Sequence, residues 1–136
     1  MVVIRHQKIT IVKVGQPERQ NINQELQFLG LSLGLFNLRD KEKSCFRIFI
    51  ELVKAAKLNQ PLSSDEMAEK LGITRGTVVH HLNKLMDSGL VISRGNRYML
   101  RVDNLKELVD ILESDVKKTL SSLRDIAEDV DKQLGL

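Results

Sequence analysis

The chain has 136 residues, enough for one ordinary domain or a small domain with extensions, and an apolar share of 42% allows a packed core. Aromatic residues make up 4% with no Trp, so such a core rests on Leu, Ile and Val; the single Cys45 excludes an intrachain disulfide framework or a thiolate cluster for zinc or iron–sulfur. The formal charge of +3 is modest, and no run approaches the roughly 20 unbroken apolar residues that cross a bilayer.

Arg5, His6, Gln7 and Lys8 interrupt the first apolar residues before the core of a signal peptide can form, so a cytoplasmic protein without a membrane partner is expected. Val2 to Val14 is rich in Val and Ile with polar Lys8 and Lys13 between them. This reads as one or two strands ended by Gly15-Gln16-Pro17. Asn21 is placed to cap the next segment, with Gln24 as its capping-box partner. Ile22, Leu26, Leu29, Leu33 and Phe36 follow at helical spacing. Gly30 and Gly34 weaken that helix, and their spacing is read as incidental.

Asp40 opens a second helix, with Phe46, Phe49, Ile50, Val53 and Ala56 on its apolar face and Asn59-Gln60-Pro61 at its end. Cys45 lies in this apolar run and reads as a small buried hydrophobe. Ser63 or Ser64 caps a short helix closed by Gly72, and Thr74 caps another that runs to Ser88 and is closed by Gly89. Leu90–Arg94 and Arg97–Arg101 are two short β-prone runs joined by Gly95-Asn96, a two-residue hairpin signal. From Asp103 or Asn104 onward the chain reads as one long amphipathic helix.

The order helix, helix, glycine turn, helix, hairpin predicts a mainly α fold with a small β-hairpin wing, a winged helix-turn-helix. It predicts three parts: a strand and helix extension over 1–39, the winged helix-turn-helix over 40–102, and an amphipathic helix over 103–136. The run Met67-Ala68-Glu69-Lys70-Leu71-Gly72-Ile73-Thr74, with Val78, His81, Leu82, Leu85, Gly89, Leu90 and Val91 after it, resembles the ArsR-like prokaryotic transcription regulators, archaeal ones included. The resemblance spans about Asp65 to Arg101, and residues 1–39 have no part in it. It implies DNA binding and, by analogy, repression. In metal-sensing members the ligands include cysteines near the helix before the recognition helix; this chain has none there, so no metal or cofactor is expected.

Helical geometry divides core from reading face. With Val78 at the rear, Leu82 and Leu85 fall within about 40° of it, and Gly76, Thr77, His80, Asn83, Lys84 and Asp87 face away. His80 and His81 point about 100° apart, which suits neither for a shared metal. His80 reads as a DNA-facing donor and His81 as a structural hydrogen-bonding residue. The wing adds Arg94 and Arg97, with Arg101 just beyond. The expected set of residues contacting double-stranded DNA is Ser64, Thr74, Arg75, Gly76, Thr77, His80, Asn83, Lys84, Arg94, Asn96 and Arg97.

Charge divides along the chain. Residues 1–102 hold 16 basic and 9 acidic residues, and residues 103–136 hold 5 and 9, so a basic body carries an acidic tail. Within the tail, Val109, Leu112, Val116, Leu123, Ile126 and Val130 recur at coiled-coil spacing, and Leu120, Ala127 and Leu134 widen the stripe. A helix of roughly 45 Å outreaches a small body, so this stripe reads as the seam of a homodimer. The resulting expectation is a sequence-specific homodimeric regulator, a repressor by analogy, with no expectation about a small-molecule effector. The alternative is a non-catalytic winged-helix interaction module in a larger complex. An RNA-binding reading lacks exposed aromatic residues for stacking. An enzyme is not expected, for want of a nucleophile–base pair, P-loop or dinucleotide fingerprint.

Overall fold

The structure, a computed structural model, describes residues 6–136. Five helices and a three-stranded antiparallel sheet follow in the order α1 (Ile22–Ser32), α2 (Ser44–Lys57), β1 (Leu62–Ser63), α3 (Ser64–Leu71), α4 (Arg75–Asp87), β2 (Val91–Arg94), β3 (Arg97–Leu100) and α5 (Leu105–Leu134). This is a winged helix-turn-helix with a long C-terminal helix.

The strands expected over Val2–Val14 do not form among the described residues, while Val2–Arg5 lie outside them. From Lys8 the chain runs as irregular backbone beside α4 and α1, held by Lys8 N–H donating to Asp87 O (3.0 Å) and Val12 N–H to Ser32 O (2.7 Å). Two isolated bonds of this kind make no ladder. Alternation of Val and Ile signals a strand only where a neighbouring strand is available to pair with it.

Asn21 caps α1 as expected, its side chain accepting from Gln24 N–H. The reciprocal half of the capping box is absent: Gln24 Oε1 accepts from Glu18 N–H instead. Helical spacing of apolar residues continues to Phe36, yet α1 stops at Ser32 because Gly34 takes φ +71°. Gly34 N–H then donates to Leu31 O and Leu35 N–H to Gly30 O, a Schellman ending that satisfies the last carbonyls. Gly30 is not incidental: a Cβ there would come within 2.6 Å of both the Phe36 and Phe46 rings, which themselves pack at 5.0 Å between centroids. There α1 packs directly against the Phe46 ring of α2.

Asp40 does not open α2 directly. Its carboxylate accepts from Lys43 N–H, Lys43 sits at φ +52°, and the helix begins at Ser44. Cys45, Ile48, Phe49 and Leu52 then face inward. Burial raises the Cys45 thiol's pKa, partly offset by Lys84, as suits a small core hydrophobe. β1, only two residues long, has no counterpart in the sequence expectations because two residues carry no periodicity. It pairs Leu62 with Tyr98 and Ser63 with Arg97, so β3 lies between β1 and β2.

The core gathers Ile48, Phe49 and Leu52 of α2, Met67 of α3, Val78, Leu82 and Leu85 of α4, and Leu90, Val91 and Leu100 of the wing. Leu108 and Leu112 of α5 belong to it as well, so the first two turns of the tail are built into the body. Burial of such a set is the main stabilising term for a body this small. Beyond Val116, α5 is exposed on every side.

Candidate nucleic-acid interface

The helix meant to read DNA must be anchored from behind and bare in front. Val78, Leu82 and Leu85 are fully buried against α2 and α3, while Arg75, Gly76, His80, Asn83 and Lys84 are exposed on the far side. Thr74, with extended backbone, starts α4 by accepting from Thr77 N–H at 3.1 Å. The two hydroxyls of Thr74 and Thr77 also lie 2.8 Å apart, so each already has a partner. A Cβ added at Gly76 would meet nothing within 4 Å, which leaves the first turn of α4 open to close approach.

The wing supplies the second basic element. Gly95 takes φ +63° while Asn96 does not take positive φ, the pattern of a II′ turn with glycine first. Arg94 and Arg97 face each other across that turn. Like charges directly opposite are unfavourable, and Arg97 is steadied elsewhere, donating to Pro61 O and Glu66 Oε1, both at 3.0 Å. Arg75 Nε lies 3.2 Å from Asp65 Oδ1. The first turn of α3 therefore places Asp65 and Glu66 against two of the arginines expected at DNA. Both pairs are exposed, and ion pairs of this kind contribute about 0–1 kcal/mol, so the arginines remain exchangeable.

Three expectations need correction. Ser64 is buried at 7% exposure, because Ser63 supplies the cap, its Oγ accepting from Glu66 N–H, and the next residue turns inward. Arg101 does not face outward with the wing: its guanidinium pairs with Asp115 of α5 and donates to Gly89 O. His81 makes no structural hydrogen bond among the described residues, its buried Nδ1 having no partner. Its pKa is lowered, chiefly by burial and then by the nearby His80 and Lys84 charges, which keeps the ring neutral near pH 7.

The structure also adds a residue. Lys8 is exposed on the rim of a groove of about 350 Å³ that it shares with His80, Asn83 and Lys84. Seventy-two positions separate Lys8 from His80, so local pattern carried no sign of it. The first segment thus brings one more cation to the C-terminal half of the exposed α4 face.

The helix-turn-helix and the wing's first strand carry the sequence signal as well as the geometry. Residues 50–93 match the family of bacterial regulatory proteins called the arsR family. This stretch resembles an arsR-family helix-turn-helix. It runs from the middle of α2 into β2, and it supports a DNA-binding transcription regulator. Among solved structures the chain is similar to wild-type ZitR of Lactococcus lactis, at 22% identity over 82% of this chain and 85% of that one, with a TM-score of 0.38. A point mutant of ZitR matches at 21% identity over 82% and 86%, with a TM-score of 0.36. No curated protein matches the chain. Among the described residues no helix is long and apolar enough to cross a membrane.

Proposed function

We propose that the protein is a sequence-specific transcription regulator that binds double-stranded DNA as a homodimer and represses by occupying its operator. The observation that carries the reading is α4 itself, with three apolar residues buried behind it and Arg75, Gly76, His80, Asn83 and Lys84 bare in front. In the proposed complex α4 lies in the major groove, where His80 and Asn83 offer hydrogen bonds to base edges. Lys8, Arg75, Lys84, Arg94 and Arg97 meet phosphates, Thr74 and Thr77 line the helix start, and Asn96 sits at the wing tip. Ser64, being buried, takes no part.

Dimerisation is assigned to the exposed half of α5. Leu123, Ile126 and Val130 are 59%, 62% and 45% exposed, with Leu120 and Leu134 beside them. An apolar stripe of this extent is covered most simply by a second copy. Leu112, only 4% exposed and packed by its own chain, has no surface to offer and leaves the seam. The test is competition between an operator recovered from genomic DNA and a scrambled duplex. A preference of about 1,000-fold or more supports the reading, and equal affinity refutes it.

A further inference from the structure

A second groove, of about 580 Å³, adjoins the one that Lys8 shares with the exposed face of α4, and Gly34, Leu35, Cys45 and Lys84 line both. The N-terminal run passes along the two, with Lys8 and Thr10 at the first and Val12 and Val14 at the second. Thr10 packs against Gly34, where a Cβ would come within 2.6 Å of the threonine methyl. The lining of the second groove is of two kinds. Val12, Val14, Leu31, Phe36 and Leu38 are apolar, and Val12 and Leu38 are left 44% and 90% exposed. Arg39, His81 and Lys84 supply polar groups. Apolar walls with a few polar groups, around a space of some hundreds of Å³, are the usual make-up of a small-molecule site.

The polar groups define the charge of an occupant. Among the described residues neither Lys84 nor Arg39 pairs with an acid. Asp40, in the same wall, is engaged in holding the start of α2, where it accepts from Lys43 N–H at 3.0 Å. His81 has a buried Nδ1 without a partner, and in the neutral ring that nitrogen can carry the proton and donate. Cations lacking a counter-charge and an unused donor call for an acceptor with negative charge. The apolar lining calls for hydrocarbon. A bare inorganic anion would leave Val12 and Leu38 in water, and a neutral apolar molecule would leave the cations unpaired. A carboxylate with an apolar body satisfies both sets.

Resting on the reading of Lys84 as a phosphate contact, we propose that this groove binds a small carboxylate with an apolar body, and that its binding releases DNA. The coupling runs through Lys84, which lines the groove and is also one of the cations assigned to the duplex. A carboxylate held there neutralises that cation and sets a negative charge beside the exposed face of α4. Linkage makes the effect reciprocal: the factor by which the ligand weakens DNA binding is the factor by which DNA weakens ligand binding. Loss of one phosphate contact lowers the slope of log affinity against log salt by about one.

The test uses the full chain and octanoate, with acetate as the control for charge alone and octan-1-ol for the chain alone. Calorimetry without DNA should show octanoate binding at least about tenfold more tightly than either control, and octanoate should raise the melting temperature. Val14→Gln with Leu38→Gln, a neutral exchange in the apolar lining, should weaken octanoate about tenfold and leave duplex affinity unchanged. Leu38→Gln alone, at a position 90% exposed, keeps the fold and should weaken octanoate several-fold. Octanoate binding no tighter than octan-1-ol or acetate, no binding at all, or binding indifferent to both variants overturns the proposal. With random duplex, saturating octanoate should lower DNA affinity about fivefold or more relative to equimolar acetate and reduce the salt slope by about one. Unchanged duplex affinity overturns the coupling. A protein that binds octanoate but no duplex, with or without ligand, refutes the DNA-binding reading instead and leaves the groove its ligand.

Discussion

Arg101, the residue after the wing, pairs with the carboxylate of Asp115 in α5, and the Gln7 side chain donates to that same carboxylate at 3.0 Å. Gln7 also donates to Ser88 O at the end of α4, at 3.2 Å. Four segments meet here: the N-terminal run, the end of the exposed helix, the wing's exit and the long helix. The direction in which α5 leaves the body is therefore tied to the two elements proposed to touch DNA.

Asp115→Asn should loosen that junction and lower stability by about 1–2 kcal/mol, since Arg101 keeps most of its burial but loses its counter-charge. The Asp115 pKa is lowered from 3.8, first by the Arg101 hydrogen bond and then by Gln7, with burial opposing. A depressed carboxylate gives stability that is whole above its ordinary value and fades as pH falls through the lower folded-state value. Thermal melts from pH 7 to pH 2 should show the difference between wild type and Asp115→Asn shrinking only below about pH 4. A difference independent of pH would remove the ion pair from the account.

Gly30→Ala and Gly76→Ala should move in opposite directions. At position 30 the new methyl collides with Phe36 and Phe46, and overpacking of this kind costs about 1–3 kcal/mol. At position 76 it meets open space on a helix, where Ala is favoured over Gly by up to about 1 kcal/mol. Gly76→Ala should nonetheless weaken operator binding, because the methyl stands where the duplex is proposed to approach. Denaturant titration and binding curves on both variants check this, and unchanged affinity would move the duplex away from the first turn of α4.

Asp65→Asn combined with Glu66→Gln should raise affinity for random duplex several-fold and steepen its salt dependence. The exchange frees Arg75 and Arg97 from their acids and leaves both cations for phosphate. With discrimination proposed to come from base contacts of α4, the operator should gain no more than random DNA does. An unchanged affinity for random duplex would show that these arginines do not face the backbone.

His80→Ala should cost about 1–3 kcal/mol on the operator and much less on scrambled DNA, with little change in melting temperature, since the side chain is exposed. Thr77→Ala should discriminate less sharply, because the Thr77 hydroxyl already bonds Thr74. Equal losses of His80→Ala on both duplexes would place the reading face elsewhere on α4.

What could be read from sequence was local. Thr74 and Gly89 bracket α4 within their own neighbourhood, Gly95-Asn96 marks the hairpin, and Val78, Leu82 and Leu85 define a rear face from spacing alone. What escaped was set by distant partners. Gln7 reaches Asp115 across 108 positions. Ile9 and Ile11 alternate with Lys8 and Thr10 but find no strand to join, and Gly30 is small because rings from two other segments close over it. Arg101 looked like a wing cation because sequence order does not show that α5 turns back beside it. Leu112 looked like seam because its heptad position is shared by residues inside and outside the core.

The central claim, sequence-specific reading of duplex DNA by α4 and the wing, is met most directly by selection from a pool of random duplexes, followed by affinities across salt concentrations. The account predicts enrichment of a two-fold symmetric sequence with half-sites about one turn apart, bound with an affinity that falls steeply and linearly in log–log form with salt. A pool that stays random after repeated rounds, or an affinity indifferent to salt, would contradict it.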